Sequence, residues 1–123
     1  MNLVDSSGWL EYFTDGKNAK LYAPVIENTG ELIVSAINIY EIFKKVLAER
    51  DENSAFEAVT VMMQSKVIDV NNIISIRGAK LSKELKLPMA DSLIYATALE
   101  NDAVVWTQDY DFKDLENVKF IKK

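Results

Sequence analysis

The sequence contains neither cysteine nor histidine. Without cysteine there is no disulfide and no thiolate metal site. Without histidine, the commonest general base and the commonest transition-metal ligand are both missing. Any catalytic metal must then be held mainly by carboxylates, which suit hard ions such as Mg²⁺ or Mn²⁺. Glycine and proline are also sparse, at four and two residues, and no linker, repeat or low-complexity segment appears. No apolar run has the length of a membrane span, so no membrane association is expected. No basic segment precedes an apolar stretch at the start, so no signal peptide is expected either. Positive charge is in the minority, with 14 Lys and Arg against 19 Asp and Glu, a formal net charge of −5. That sum lacks the basic footprint of a nucleic-acid binder, but the pattern of charge matters more than its total. Together these features fit a cytoplasmic protein.

The chain has 123 residues, of which 49% are hydrophobic. That suits one compact domain, residues 1–123, with a real core. Residues 1–5 read as a first strand and residues 6–13 as a short helix with Trp9, Leu10 and Phe13 on one face. Residues 20–28 are a second helical candidate, closed by Asn28-Thr29-Gly30. Residues 31–34 read as a buried strand. Ile39, Ile42, Phe43, Val46 and Leu47 then form one apolar helical stripe, ended by the charged run 49–53. Residues 54–66 read as a helix and 67–70 as a strand. Ile74, Gly78, Leu81 and Leu85 mark another helix. Pro88 stands near the first helical position of the segment 89–100. Residues 103–106 and 118–121 read as the last two strands. Short apolar strands alternating with helices predict an α/β sandwich around a mostly parallel sheet. Ligands in such folds gather at the carboxyl ends of the strands, near the switch in strand order.

Four acids fall at that edge. Asp5 follows the first strand and Asp109 follows the strand ending at Trp106. Glu41 and Asp91 lie in early turns of helices that start from the same edge. Each has an ordinary explanation. Asp5, Ser6 or Ser7 could cap the first helix, worth about 1 kcal/mol. Glu41 has the spacing of a surface ion pair with Lys44 or Lys45. Asp91 suits the dipole of its helix, and Asp109 could cap the turn into residues 110–112. Their joint occurrence is the signal. Clustered carboxylates raise one another's pKa and cost stability unless a divalent cation neutralises them. Such a cation can activate water and clamp the oxygens of a phosphodiester during in-line attack.

At these residues the sequence resembles the PIN-domain proteins, most closely the small VapC-type toxin ribonucleases. The matching pieces are residues 3–7 around Asp5, 35–42 around Glu41, 88–98 around Asp91 and 105–112 around Asp109. Their order and spacing run across almost the whole chain. The resemblance implies a PIN-like α/β/α sandwich and a Mg²⁺- or Mn²⁺-dependent endoribonuclease. By position, Asp5, Glu41 and Asp91 would be the core metal-binding acids and Asp109 the more variable fourth, with Asp111 a less favoured substitute. Ser6 and Thr107 would support the acids by hydrogen bonds. The resemblance also implies a homodimer and a cognate antitoxin that blocks the acidic site with a basic side chain. Gln108 and Ser92 depart from the family pattern without removing a ligand.

Candidate contacts to an RNA substrate are Lys44, Lys45 and Arg50 on one helix, and Arg77, Lys80, Lys83 and Lys86 on another. Solvated helix faces account for them equally well, and the second set wraps around its helix. Trp9, Tyr12, Phe13 and Phe43 have the spacing of core or dimer contacts. The competing reading is a non-catalytic PIN-like scaffold that binds RNA or protein. A phosphoacceptor receiver would need paired early acids and a late lysine after a strand. A haloacid-dehalogenase-type phosphatase would need Asp-x-Asp-x-Thr after the first strand. The stretch from Asp5 to Trp9 satisfies neither.

Overall fold

The computed structural model describes residues 1–123. The strands are β1 (Asn2–Val4), β2 (Leu32–Ser35), β3 (Lys66–Ile68), β4 (Val104–Thr107) and β5 (Val118–Phe120). The helices are α1 (Ser6–Phe13), α2 (Ala19–Glu27), α3 (Ala36–Glu49), α4 (Glu52–Met62), α5 (Asn72–Leu85) and α6 (Met89–Glu100). The sheet has the order β3-β2-β1-β4-β5, and every pairing is parallel. The chain moves outward from β1 through β2 to β3, then returns to the other side of β1 as β4. Strand order therefore reverses between β1 and β4, and the crevice beyond their carboxyl ends is where such folds place ligands.

Alternation along the strands builds two cores, one on each face of the sheet. Val4, Leu32 and Val34 face one way, onto Trp9, Tyr22, Ile26, Ile42, Val59 and Met62 from α1 to α4. Leu3, Ile33 and Val105 face the other way, onto Ile94, Tyr95 and Ala98 of α6, with Leu81 of α5 at the margin. Both Leu3 and Val4 are fully buried. Each contributes about 1.5–3 kcal/mol, so the backbone just before Asp5 is clamped from both sides.

The helix boundaries follow from their caps. Ser35 and Asn38 form a capping box at the start of α3, and Asn71 accepts from Ile74 N to start α5. The run 49–53, expected only to end α3, also starts α4. The Asp51 carboxylate accepts from Ser54 N at 2.7 Å, so the new helix begins at Glu52. That helix stops at Met62 rather than Lys66, because residues 63–65 turn back into β3. Glu31 lies in a single 3-10 turn (Thr29–Glu31), not in β2. Pro88 is the residue before α6 rather than its first member. These are shifts of a few residues, as expected where fraying and capping compete.

Gly8 sets how closely α1 approaches α2. A Cβ at this position would stand 2.5 Å from Tyr22 Cε1 and 2.6 Å from Val4 Cγ1, both on fully buried side chains. Alanine would gain about 1 kcal/mol of helix propensity, but overpacking a rigid core costs about 1–3 kcal/mol. Gly8→Ala should therefore lower the urea midpoint of unfolding. An unchanged or raised midpoint would show that α1 is free to move away from Tyr22.

Candidate active site

Asp5 occupies the position between β1 and α1. Its backbone N–H donates to Trp106 O of β4 at 2.9 Å, and its side chain is almost wholly buried. The Oδ2 atom receives three hydrogen bonds: from Ser7 Oγ at 2.9 Å, from Thr107 Oγ1 at 2.9 Å and from Ser7 N at 3.4 Å. The helix-cap explanation is therefore true, but it accounts only for the weakest of the three. Both hydroxyls are themselves oriented by backbone amides: Gln108 N donates to Ser7 Oγ at 3.2 Å and Asp109 N to Thr107 Oγ1 at 2.9 Å. With each oxygen accepting from an amide, the two O–H groups donate to Asp5. The Oδ1 atom has no such partner. Trp9 Nε1 is the only fully sealed side-chain polar atom without a hydrogen bond.

Asp91, Asp109 and Asp111 come together beside it. Each offers a carboxylate oxygen, and the three oxygens lie within 4.8 Å of one another. Asp91 is in the first turn of α6. Asp109 caps the 3-10 turn Tyr110–Phe112 by accepting from Asp111 N at 2.9 Å, which folds Asp111 back toward Asp91. Desolvation is the largest influence on Asp91, followed by a proton shared with Asp111 and by the charges of Asp109, Asp5 and Asp111; its carboxyl is pushed up to about 8. Burial also raises Asp5, against the opposing hydrogen bonds from Ser7 and Thr107, and Asp109 adds to the rise. Burial is again first for the Tyr22 phenol, whose pKa is driven up further by Asp5 and Glu11.

Glu41 is held separately. Ser6 Oγ donates to Glu41 Oε1 at 2.7 Å. Asn38 Nδ2 donates to the same Ser6 oxygen at 3.0 Å, and Asn38 Oδ1 accepts from Ser35 N at 3.2 Å. This chain of bonds ties α3 to the end of β1. Glu41 forms no ion pair with Lys44 or Lys45, because Lys45 pairs with Glu49 at 3.0 Å and Lys44 lies 5.7 Å from the Tyr40 ring centroid. Glu41 and Asp5 stand outside the tight trio, although Asp5 is near enough to act on Asp91 and Asp109 by charge.

Donor chemistry and spacing both fit a hard divalent cation. Oxygens on opposite sides of Mg²⁺ lie about 4.2 Å apart, and those around a larger ion slightly farther. A trio within 4.8 Å needs only small adjustments to share one. No cation of the protein takes that place: its three ion pairs are Met1–Glu31, Lys45–Glu49 and Arg77–Glu100.

Arg77 and Lys80 lie on another surface. Arg77 Nη1 binds Glu100 Oε1 at 2.9 Å, nine residues along α6 from Asp91, or about 13 Å at 1.5 Å per residue. Lys80 shares that surface with Ile73 and Ile76. Trp9, Tyr12 and Phe13 pack on one another at the first core, and Phe43 packs on Phe56. Three participants are weakly signalled by sequence. Asp111 sits closer to Asp91 than a lesser substitute would, and the Asp109-x-Asp111 spacing across a tight turn is the clue. Ser7 supports Asp5, whereas Ser6 supports Glu41. Asn38 is a buried polar residue one turn before Glu41.

A family model described as the PIN domain matches residues 3–118. Among solved structures, the chain is similar to a toxin–antitoxin complex from Klebsiella pneumoniae, with a TM-score of 0.84 and 21% identity over 100% of both chains. It is also similar to VapBC2 from Rickettsia felis, bound to a DNA fragment from its promoter (TM-score 0.74, 15% identity, 98% of this chain and 97% of the other). A third match is Mycobacterium tuberculosis VapC20, a toxin that cleaves the sarcin-ricin loop (TM-score 0.73, 13% identity, 96% and 98%). At these identities the likeness is one of fold. A search of curated proteins finds no match.

The acids make metal-free stability depend on pH. A carboxyl whose folded pKa is raised favours the folded state while protonated, so its contribution is full below about pH 4 and is lost as pH rises toward 8. In EDTA, the urea midpoint should fall from pH 5 to pH 8, and less steeply in Asp91→Asn. Parallel curves for the two proteins would mean that the trio is not electrostatically coupled.

Proposed function

The chain belongs to the PIN-domain family, and from that premise we propose that it is a metal-dependent endoribonuclease, the toxin of a toxin–antitoxin pair. The observation that carries this reading is the trio Asp91–Asp109–Asp111, within 4.8 Å and without a cation of the protein's own. Asp5, Glu41, Asp91 and Asp109 would hold Mg²⁺ or Mn²⁺, joined by Asp111. When bound, the ion supplies water activation and charge neutralisation at an RNA phosphodiester.

The protein's own residues then have distinct tasks. Ser7 and Thr107 saturate Asp5 Oδ2, leaving Oδ1 as the oxygen available to a cation. Ser6 steers Glu41, and Asn38 fixes Ser6. Burial and the neighbouring acids raise the Asp91 carboxyl, so a cation entering the crevice would favour its charged form. The cognate partner is an antitoxin protein that blocks the acidic crevice with a basic side chain. The working form is a cytoplasmic homodimer. Of the basic candidates for RNA contact, Lys44 and Lys80 are free of carboxylate partners, whereas Lys45 and Arg77 are paired.

The deciding experiment is cleavage of a mixed labelled RNA pool by purified, antitoxin-free protein in Mg²⁺, Mn²⁺ or EDTA. Cutting should require the metal and disappear in Asp91→Asn. Folded wild-type protein that binds RNA but never cuts it would instead favour a non-catalytic scaffold. The support given to Asp5 has its own readout. Ser7→Ala should weaken Mg²⁺ binding, measured by calorimetry, by roughly 10–100-fold. Unchanged affinity would assign Asp5 orientation to Thr107 alone.

A further inference from the structure

Tyr110 stands between Asp109 and Asp111 in the 3-10 turn that builds the acidic trio. The two aromatics of this turn go opposite ways. Phe112 is fully buried against Tyr95, whereas Tyr110 is 56% exposed. Its ring rests on Phe120 of β5, centroids 5.0 Å apart, so it is braced from below yet open to solvent. Lys113 Nζ lies 5.9 Å from the centroids of both rings. That ammonium is part of none of the protein's ion pairs, although Asp111 and Asp114 are near it in sequence. A second lysine, Lys119, likewise lies over an aromatic ring, Trp106, at 5.8 Å.

An exposed aromatic alone means little. This one is fixed beside the acidic crevice by its own backbone, and the ammonium over it forms no ion pair. In a net-acidic protein, an attraction other than charge helps to seat a polyanion beside a carboxylate cluster. Base stacking on a ring supplies that attraction whatever the base, because every base has a π-face. We propose that Tyr110, braced by Phe120, is the stacking platform for a nucleobase next to the scissile phosphate, and that Lys113 moves from the rings to a backbone phosphate when RNA binds. The stacked base must be unpaired, so the strand is single at the point of attack. This inference rests on the ribonuclease reading and names a recognition residue for it.

The test uses a fluorescein-labelled oligoadenylate octamer and full-length protein carrying Asp91→Asn to prevent cutting, with binding read by fluorescence polarisation. Adding Tyr110→Leu, which keeps an apolar contact with Phe120 but removes the ring, should weaken binding by about 5–150-fold, the range for one stacked base. Adding Tyr110→Phe should leave it within about twofold. Adding Lys113→Gln should flatten the dependence of log affinity on log salt by about 0.7, the value of one phosphate contact on a single strand. An abasic octamer should bind the Asp91→Asn protein more weakly by the same factor as the leucine change, a comparison that needs no further variant. Equal affinity for Tyr110→Leu and Tyr110→Phe, or for abasic and adenine octamers, overturns the platform even if the wild type cuts RNA. The full binding pattern, together with a wild type that cuts no RNA, keeps the platform and rejects the nuclease.

Discussion

Repulsion between carboxylates brought to one sheet edge is the constraint on which this structure turns. Asp5, Asp91, Asp109 and Asp111 act on one another by charge, and left to themselves they would separate. They are held because each is attached to something that cannot move. Leu3 and Val4 lock β1 into both cores. Asp91 is bound into the first turn of α6, and Asp109 and Asp111 are closed into one turn by hydrogen bonds from Asp111 N to the Asp109 carboxylate and from Phe112 N to Asp109 O. The two apolar cores thereby hold the acids together, and burial and their mutual charge raise the Asp91 carboxyl.

The two ends of the site are supported differently. Asp5 is steered by the hydroxyls of Ser7 and Thr107, which are themselves set by the main-chain amides that follow β4. Glu41 depends on a relay of side chains, Ser6 and Asn38, that joins two helices. Disturbance of α3 would therefore be felt at Glu41 first, and at the trio hardly at all.

Much of this was legible in the residues. The alternation of short apolar strands with helical stripes predicted the α/β layers, and the four acids fell at one edge because strand ends and helix starts share it. The parallel sheet is more uniform than expected, since all four pairings are parallel. Less legible was anything decided by a hydrogen bond. Asp51 looked like part of a charged run and is a cap. Ser6 and Ser7 look interchangeable in the sequence, yet they serve different acids. Asp111 looked secondary because spacing along the chain does not reveal that a capped turn folds it back. Arg77 looked free, and its engagement by Glu100 depends on the packing of α5 on α6.

An open sheet of five strands has two unpaired borders, and here both are deliberately poor. The border strands β3 and β5 are three residues each, too short to template a long ladder, and each carries an exposed lysine, Lys66 and Lys119. Short length and border lysines both discourage edge-to-edge growth. Other chains are thus turned away from extending the sheet, which leaves the helical surfaces as the natural ground for assembly. A protein that must meet other macromolecules without polymerising gains from having its sheet closed to recruitment in this way.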